Sequence, residues 1–268
     1  MRNFLRLIHD WMDRIPMEGI MQMGPWRMLE TGLRGETWTK AIRYFRNSSL
    51  LTEEFIDKFA GYLRLHAKRL EEKGGDERLQ SNWCILENSG LFEIAMALPQ
   101  DEDTRRWASL ALRRIRDSVR VQVYEDGSQW EQSPMYHNEV FHCLCCVVYL
   151  ARANGIRLDP GLEETVHRMA LADVIWRKPD GCQFIQGDSD EVDLRDKITM
   201  GAWLFRDPVL KYAGFDRMDF EGAWDFGRKA SLEYRSLPAE KPGFTSACLK
   251  DSGNYYLRES WEENANLL

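Results

Sequence analysis

The sequence predicts an all-α protein with short β-strands at its C-terminal end. Through most of the 268 residues, apolar side chains recur every three or four positions, which is the period of an amphipathic helix. These segments are separated by short runs rich in Pro, Gly, Asn and Ser. From residue 241 onward the pattern becomes that of a strand, a turn and a second strand. No repeat of fixed period links the helical segments, which argues against a tetratricopeptide or HEAT array.

The predicted helices have recognisable ends. Pro16 and Gly24 place a loop after the first helix, and Pro25 suits the first position of the second. Gly74–Gly75 is expected to end the third helix, and Pro99 the fourth. The predicted helices cover residues 4–12, 25–46, 51–70, 85–98, 101–121, 136–154, 160–176, 194–205 and 220–229, and the predicted strands cover 244–249 and 254–258. Helices joined in this way stack as a bundle, a solenoid or a closed toroid.

Composition and charge exclude several classes of protein. The net charge of −7 argues against sequence-independent nucleic-acid binding, which needs a basic surface. The longest nearly apolar stretch, residues 140–151, is too short to cross a membrane. An acidic substrate held in a locally basic cleft is still compatible with this charge. The 10 Trp residues suit either sugar stacking or the filling of a large core.

The cysteines and the N-terminus predict a cytoplasmic protein. Three of the six cysteines crowd into residues 143–146 without the spacing of a zinc site, so we expect reduced, buried thiols. His9 and Asp10 interrupt the apolar core that a signal peptide would need. A periplasmic or secreted location is the alternative if the natural chain begins earlier. No cofactor or metal is expected, and the sequence does not indicate an oligomeric state.

Two loop-to-helix junctions are rich in functional side chains. One is Asn82-Trp83, and the other runs from Asp126-Gly127 through Glu131 and Ser133-Pro134 to Tyr136-His137. Each has a structural interpretation: Asn82 could cap a helix, and Ser133 followed by Pro134 suits a helix start. Loops on a rigid helical scaffold are also where binding and catalytic residues concentrate.

Together these motifs resemble the heparinase II/III-like polysaccharide lyases. The run Asp-Gly-x-x-x-Glu-x-Ser-Pro-x-Tyr-His carries most of the resemblance, and Asn82-Trp83 lies where that family has an Asn-containing loop. Residues 26–38 and the run Gly187-Asp188-Ser189-Asp190 are similar to an early helix and a later loop of the family. The resemblance implies an incomplete α/α toroid of antiparallel helix pairs over residues 1–240. Residues 241–268 would begin a truncated β domain.

The resemblance also implies β-elimination on a polysaccharide that contains uronic acid. An amide such as Asn82 would hydrogen-bond the uronate carboxylate, which makes the neighbouring C5 proton more acidic. Tyr136 suits protonation of the leaving glycosidic oxygen, and only a depressed pKa would make it a base. The residues expected to bind the acidic saccharide are His137, Trp83, Glu131, Arg34 and Trp26.

Other interpretations stay open at this point. A toroid-type glycoside hydrolase could use two carboxylates, such as Asp126 with Glu131 or Asp188. A non-catalytic carbohydrate-binding or scaffold protein is the third class. Lyases of the family continue into a β-sandwich that supplies a catalytic His, whereas the five His residues here all lie in the helical part. We therefore expect a domain-sized part of such an enzyme, and the sequence leaves its activity on its own undecided.

Overall fold

The computed structural model describes residues 1–73 and 78–268. These residues form α-helices connected by loops, together with one 3-10 helix at Gly19–Met23 and a two-stranded antiparallel ribbon. The helices are α1 (Arg2–Arg14), α2 (Met28–Phe45), α3 (Glu53–Lys73), α4 (Asn82–Ala97), α5 (Glu102–Gln122), α6 (Pro134–Ala153), α7 (Pro160–Trp176), α8 (Arg195–Phe205), α9 (Pro208–Ala213) and α10 (Phe220–Tyr234), and the strands are β1 (Ala247–Leu249) and β2 (Asn254–Tyr256).

The chain divides into two compact units, residues 1–118 and 119–268. In the first unit, α2 packs closely against α4. The contact depends on two glycines, because a Cβ atom at Gly90 would lie only 2.2 Å from the carbonyl oxygen of Gly32. The sequence-based boundary between residues 240 and 241 is a different division, and it stays a prediction.

The second unit is built around α6, α7 and α8, which contact one another. Phe141, Leu144 and Met169 are fully buried among them. The β1–β2 ribbon pairs Ala247 with Tyr256 and Leu249 with Asn254. Within this unit the ribbon lies against the loop that precedes α6, through hydrogen bonds that involve Asp126 and Gln132.

Most predicted helices begin and end within a few residues of the observed ones. The short helix α9 was missed, because six residues are too few to show a helical period. Helix α4 begins at Asn82 and not at Ile85, since Ser81 caps it. The predicted end of the third helix at Gly74–Gly75 lies outside the described residues. Nowhere in residues 1–73 and 78–268 is a helix both long and apolar enough to cross a membrane.

Candidate active site

Tyr136 lies in the first turn of α6, close to the N-terminus of that helix. Ser133 is the N-cap, and its Oγ accepts a hydrogen bond from the Tyr136 backbone N–H at 3.4 Å. Pro134 occupies the first helical position, where its missing N–H costs nothing. This start leaves the Tyr136 side chain partly exposed to solvent.

The phenol of Tyr136 donates a hydrogen bond to the carboxylate of Asp188. That hydrogen bond, together with the negative charge of Asp188, raises the pKa of Tyr136 above its ordinary value. Tyr136 therefore keeps its proton at neutral pH. A protonated phenol can act as a general acid, whereas the base role would need the opposite shift.

The loop that carries Asp188 is fixed to the start of α6. Ser189 Oγ lies 2.8 Å from Ser133 Oγ and accepts a hydrogen bond from the backbone N–H of Met135 at 3.1 Å. This bond satisfies one of the amides that a helix start leaves without a partner. Earlier in the same loop, the side-chain oxygen of Gln183 accepts a hydrogen bond from the Asn138 side chain at 3.0 Å. The Tyr136–Asp188 pair is thus held by contacts on both sides.

The turn before α6 contains a strained backbone position. Gln132 has a φ of +59°, the left-handed region that a residue other than Gly adopts at a cost. Its side-chain oxygen accepts a hydrogen bond from Asn254 at 2.8 Å, and this bond ties the turn to the ribbon. Strained residues of this kind concentrate at functional sites.

His137 is a neutral residue of the core. It is 1% exposed, and its Nε2 lies 3.2 Å from the carbonyl oxygen of Met169. The edge of Trp176 packs against it at 4.7 Å between ring centroids. Burial lowers the pKa of His137 to about 3, so at neutral pH it offers no positive charge to a substrate carboxylate. The predicted substrate contact of His137 stays a prediction.

Asp126 anchors the ribbon to the loop before α6. Its carboxylate accepts hydrogen bonds from the backbone N–H groups of Ser128, Asp251 and Ser252, at 3.0, 2.8 and 3.1 Å. Burial raises the pKa of Asp126, but a hydrogen bond from the Ser128 hydroxyl, together with the three backbone ones, outweighs it and leaves the pKa lowered. A lowered pKa does not suit the general acid of a hydrolase, whereas it is compatible with the ionised base or nucleophile of a carboxylate pair, so the hydrolase alternative stays open at this residue. Glu131 is half-buried and accepts from the side chain of Gln129 at 2.9 Å.

Asn82 and Trp83 belong to the first unit and open α4. The N-cap of this helix is Ser81, whose Oγ accepts from the Trp83 backbone N–H, so the interpretation of Asn82 as the cap was wrong. Asn82 is half-buried. The ring of Trp83 lies 5.0 Å from the guanidinium carbon of Arg27 and 5.5 Å from that of Arg78, within cation–π range. The start of α4 therefore presents an aromatic ring together with two cations.

Trp26 and Arg34 are packing residues of the first unit. Trp26 is 0% exposed and its indole N–H donates to the Ile15 carbonyl oxygen at 3.0 Å. Arg34 donates to His66 Nε2 at 2.7 Å, and its guanidinium carbon lies 4.2 Å from the ring centre of Trp11. These contacts give both residues a packing role in the first unit. Their predicted contact with saccharide stays a prediction.

Sequence analysis did not single out Glu87, a titratable residue of α4. It is 1% exposed, and its carboxylate lies 3.1 Å from the guanidinium of Arg78. Burial raises the pKa of Glu87 to about 7, although Arg78 opposes that change. The apolar residues around Glu87 in the sequence did not indicate its raised pKa, because the burial of Glu87 depends on how α4 packs against α2.

Three carboxylates of the loop before α8 have partners within the second unit. Asp193 pairs with Arg195, and Glu191 pairs with Lys178 at 2.7 Å. Asp188 accepts the Tyr136 hydrogen bond. These contacts fix the loop within the second unit.

Comparison with known proteins places this helical architecture in a family. Residues 1–212 match the family model described as the heparinase II/III N-terminus. The chain is a polysaccharide-lyase-like helical domain, and it belongs to the heparinase II/III family.

Similar proteins have been described in bacteria. A heparin-sulfate lyase of Pedobacter heparinus is 24% identical over all of this chain, and one of Bacteroides stercoris is 26% identical over 90% of it. The chain spans only 38% and 34% of the lengths of these two relatives.

Solved structures share the fold. The heparan sulfate lyase HepC from Pedobacter heparinus matches with a TM-score of 0.70 at 22% identity, over 99% of this chain and 40% of that one. A heparinase III structure matches with a TM-score of 0.74 at 19% identity, over 99% and 40%. The predicted fold class, an incomplete α/α toroid with short C-terminal strands, is thereby confirmed.

Proposed function

We propose that this chain supplies the helical side of a lyase that cleaves a uronate-containing polysaccharide by β-elimination. In this reaction a base removes the C5 proton, and the C–H electron pair forms the C4=C5 double bond. The bond from C4 to the glycosidic oxygen breaks, and that oxygen takes a proton from an acid. The proposal assigns the acid role to Tyr136 and leaves the base unassigned.

The observation that carries the proposal is the pairing of Tyr136 with Asp188. The phenol is partly exposed at a helix start, keeps its proton at neutral pH and is fixed in direction by the carboxylate. The hydrogen bond to Asp188 holds the phenol oxygen in place and keeps it protonated, and its single proton passes from this bond to the leaving oxygen when the acid acts. The family membership and the heparin-sulfate lyase relatives support the same reaction class.

Asn82 is proposed to bind the uronate carboxylate. An amide can donate to a carboxylate at any physiological pH without losing a proton. Arg27 and Arg78 flank the neighbouring Trp83. Each also pairs with a carboxylate, Glu30 and Glu87 respectively, and the five N–H donors of a guanidinium leave some to donate to a sugar carboxylate or sulfate. This assignment rests on the sequence motif and on the composition of the α4 start.

Product analysis tests the reaction class. The purified chain is incubated with heparan sulfate, hyaluronan and alginate, and the products are followed by ultraviolet absorbance and mass spectrometry. Elimination gives a non-reducing end that absorbs in the ultraviolet and lacks the mass of one water relative to a hydrolytic product. Saturated products would instead support a hydrolase. Binding of a saccharide without any cleavage would support the non-catalytic alternative.

A further inference from the structure

Helices α6 and α10 bring an imidazole, a thiol and a carboxylate together inside the second unit. His142 and Cys146 lie four positions apart on α6, so they share one face of that helix, one turn apart. Asp225 lies on α10, and its Oδ2 is 2.7 Å from Nε2 of His142. A ring nitrogen, the thiol sulfur and a carboxylate oxygen of these three residues all lie within 4.8 Å of one another. The proposed lyase reaction uses none of the three.

The chain that follows Asp225 is held against α6. The ring of Phe226 is buried, and it packs against Tyr149 of α6 at 5.1 Å and Trp203 of α8 at 4.7 Å between ring centroids. The carbonyl oxygen of Phe226 accepts a hydrogen bond from the Tyr149 hydroxyl at 3.4 Å. Gly227 then leaves the helical conformation with a φ of +85°, which glycine adopts readily. Asp225 is therefore kept in place opposite His142.

The cluster is buried but reaches the surface at its imidazole. Cys146 is 2% exposed and Asp225 is 3% exposed, whereas 14% of the His142 side chain is exposed. The imidazole is thus the part of the cluster nearest to solvent. A metal ion would enter the cluster along this edge, and burial of the other two ligands would limit their competition with water.

The ligand types and their spacing are those of a zinc site. Zinc binds imidazole nitrogen, thiolate sulfur and carboxylate oxygen, and two ligands four positions apart on one helix face are a common way to present them. Zinc bonds of about 2.1 Å in tetrahedral geometry place the nitrogen and oxygen ligands about 3.4 Å apart. The atoms of His142 and Asp225, now 2.7 Å apart, would separate by roughly 0.7 Å. Water or another oxygen can supply the fourth ligand.

We propose that His142, Cys146 and Asp225 bind a zinc ion that fastens α10 to α6. The Cys146 thiol loses its proton to solvent, because the thiolate is the form that ligates a metal. Zinc replaces the hydrogen between His142 and Asp225, and the neutral imidazole keeps its one proton on the other ring nitrogen. The spacing of the cysteines did not indicate this site, because Asp225 lies 83 residues after His142.

Two other groups among the described residues bring potential ligands together, and both already hold an ammonium group. One group is Asp180, Cys182 and Glu191, and the other is Asp196, Asp219 and Glu221. Lys178 pairs with both carboxylates of the first group, at 3.3 and 2.7 Å, and Lys197 pairs with two carboxylates of the second, at 3.1 and 2.5 Å. A metal would have to displace these lysines, and neither group contains an imidazole. The carboxylates also balance the charge of Lys197, so this lysine adds no net positive charge beside α10.

Cobalt titration tests the site, because Co²⁺ occupies zinc sites and reports a thiolate ligand by a sulfur-to-cobalt charge-transfer band in the near ultraviolet. The full chain is freed of metal with a chelator, kept reduced, and titrated with Co²⁺ and then with Zn²⁺. We expect the first equivalent of Co²⁺ to give this band together with the strong visible absorption of tetrahedral cobalt. Zn²⁺ should then abolish both.

Two cysteine variants locate the thiolate. Cys146→Ala should remove the charge-transfer band and weaken Zn²⁺ binding at least ten-fold. Cys182→Ala is the matched control, because it removes the thiol of the other cysteine-containing group and should leave both unchanged. The proposal is overturned if the unsubstituted protein binds no metal or binds Co²⁺ without the band. A band that survives in Cys146→Ala would overturn it as well.

Further measurements separate misfolding and loss of the lyase role from loss of this site. Circular dichroism without metal must show that Cys146→Ala is folded. If it is not, His142→Gln, which changes the most exposed of the three ligands, takes its place, and undiminished Zn²⁺ binding by it would contradict the site. Zn²⁺ should also raise the midpoint of thermal unfolding of the unsubstituted protein, because the metal binds the folded state. Tyr136→Phe should keep metal binding, since Tyr136 is outside the cluster, so either proposal can fail without the other.

Discussion

At the residue scale, the candidate site is defined by a contact between two positions far apart in the chain. Tyr136 and Asp188 lie 52 residues apart, yet the phenol donates to the carboxylate. The Tyr-His motif identified Tyr136 from sequence. No sequence pattern paired it with Asp188, because that contact depends on how the loop before α8 folds back onto α6.

The sequence was less informative about residues whose environment is set by packing. The substrate contacts of His137 and Trp26 stay predictions, and the sequence did not indicate that these two side chains are buried, at 1% and 0% exposed. An aromatic or imidazole side chain at a helix start can face either the cleft or the core. The direction depends on the neighbouring helix, which the local sequence does not show.

Glu87 provides a residue-scale prediction for stability. Its pKa of about 7 in the folded protein exceeds the ordinary value of 4.5, so the folded state holds this proton more tightly than the unfolded state does. Its contribution to stability is therefore greatest below pH 4.5, declines as the pH rises to 7, and is constant above. The decline amounts to about 3 kcal/mol at most.

Glu87→Gln should remove this decline. Chemical denaturation of both proteins between pH 4 and pH 8 measures the difference in their free energies of unfolding. That difference should shift in favour of Glu87→Gln as the pH rises from 4.5 to 7. A difference that does not change with pH would show that Glu87 is not perturbed as described.

At the element scale, helix positions followed from hydrophobic period, whereas close contacts between helices did not. Periodicity located α7 at its observed bounds, Pro160–Trp176. The approach of α2 to α4 depends on Gly32 and Gly90, and a single sequence does not show which glycines meet. The same holds for the ribbon, whose position depends on Asp126.

The α2–α4 contact predicts a strong effect of one methyl group. Gly90→Ala places a Cβ atom 2.2 Å from the Gly32 carbonyl oxygen, which forces the two helices apart. We expect a loss of about 1–3 kcal/mol in the free energy of unfolding. Gly61→Ala on α3 is the control, because a Cβ atom there meets nothing within 4 Å. Equal stability of the two variants would contradict the proposed contact.

The hydrogen bonds that join Asp126 to the ribbon predict that replacing Asp126 loosens the ribbon locally. Replacing it with Ala removes the acceptor of the Asp251 and Ser252 backbone N–H groups. Hydrogen bonds to a charged group contribute about 1.5–3 kcal/mol each. Hydrogen exchange at these two amides should accelerate in Asp126→Ala. It should not accelerate in Glu125→Ala, whose side chain is 91% exposed. Unchanged exchange in Asp126→Ala would mean that the ribbon is held by other contacts.

At the scale of the whole molecule, family and fold were predictable because a short motif and a helical pattern agree. The family match covers residues 1–212, and the fold is shared with heparinase III at 19% identity. The net charge of −7 did not reveal the two arginines that lie beside Trp83 at the α4 start. Overall charge averages over surfaces that the fold separates.

The proposed lyase activity rests most directly on the Tyr136 hydroxyl. The decisive measurement is the initial rate at which unsaturated, ultraviolet-absorbing product forms from the best uronate polysaccharide, in Tyr136→Phe and in Tyr255→Phe. The control tyrosine is 68% exposed on β2. Loss of a general acid predicts a rate at least about 100-fold lower in Tyr136→Phe, with the control unchanged. Elimination at the unsubstituted rate in Tyr136→Phe would contradict the assignment of Tyr136 as the acid.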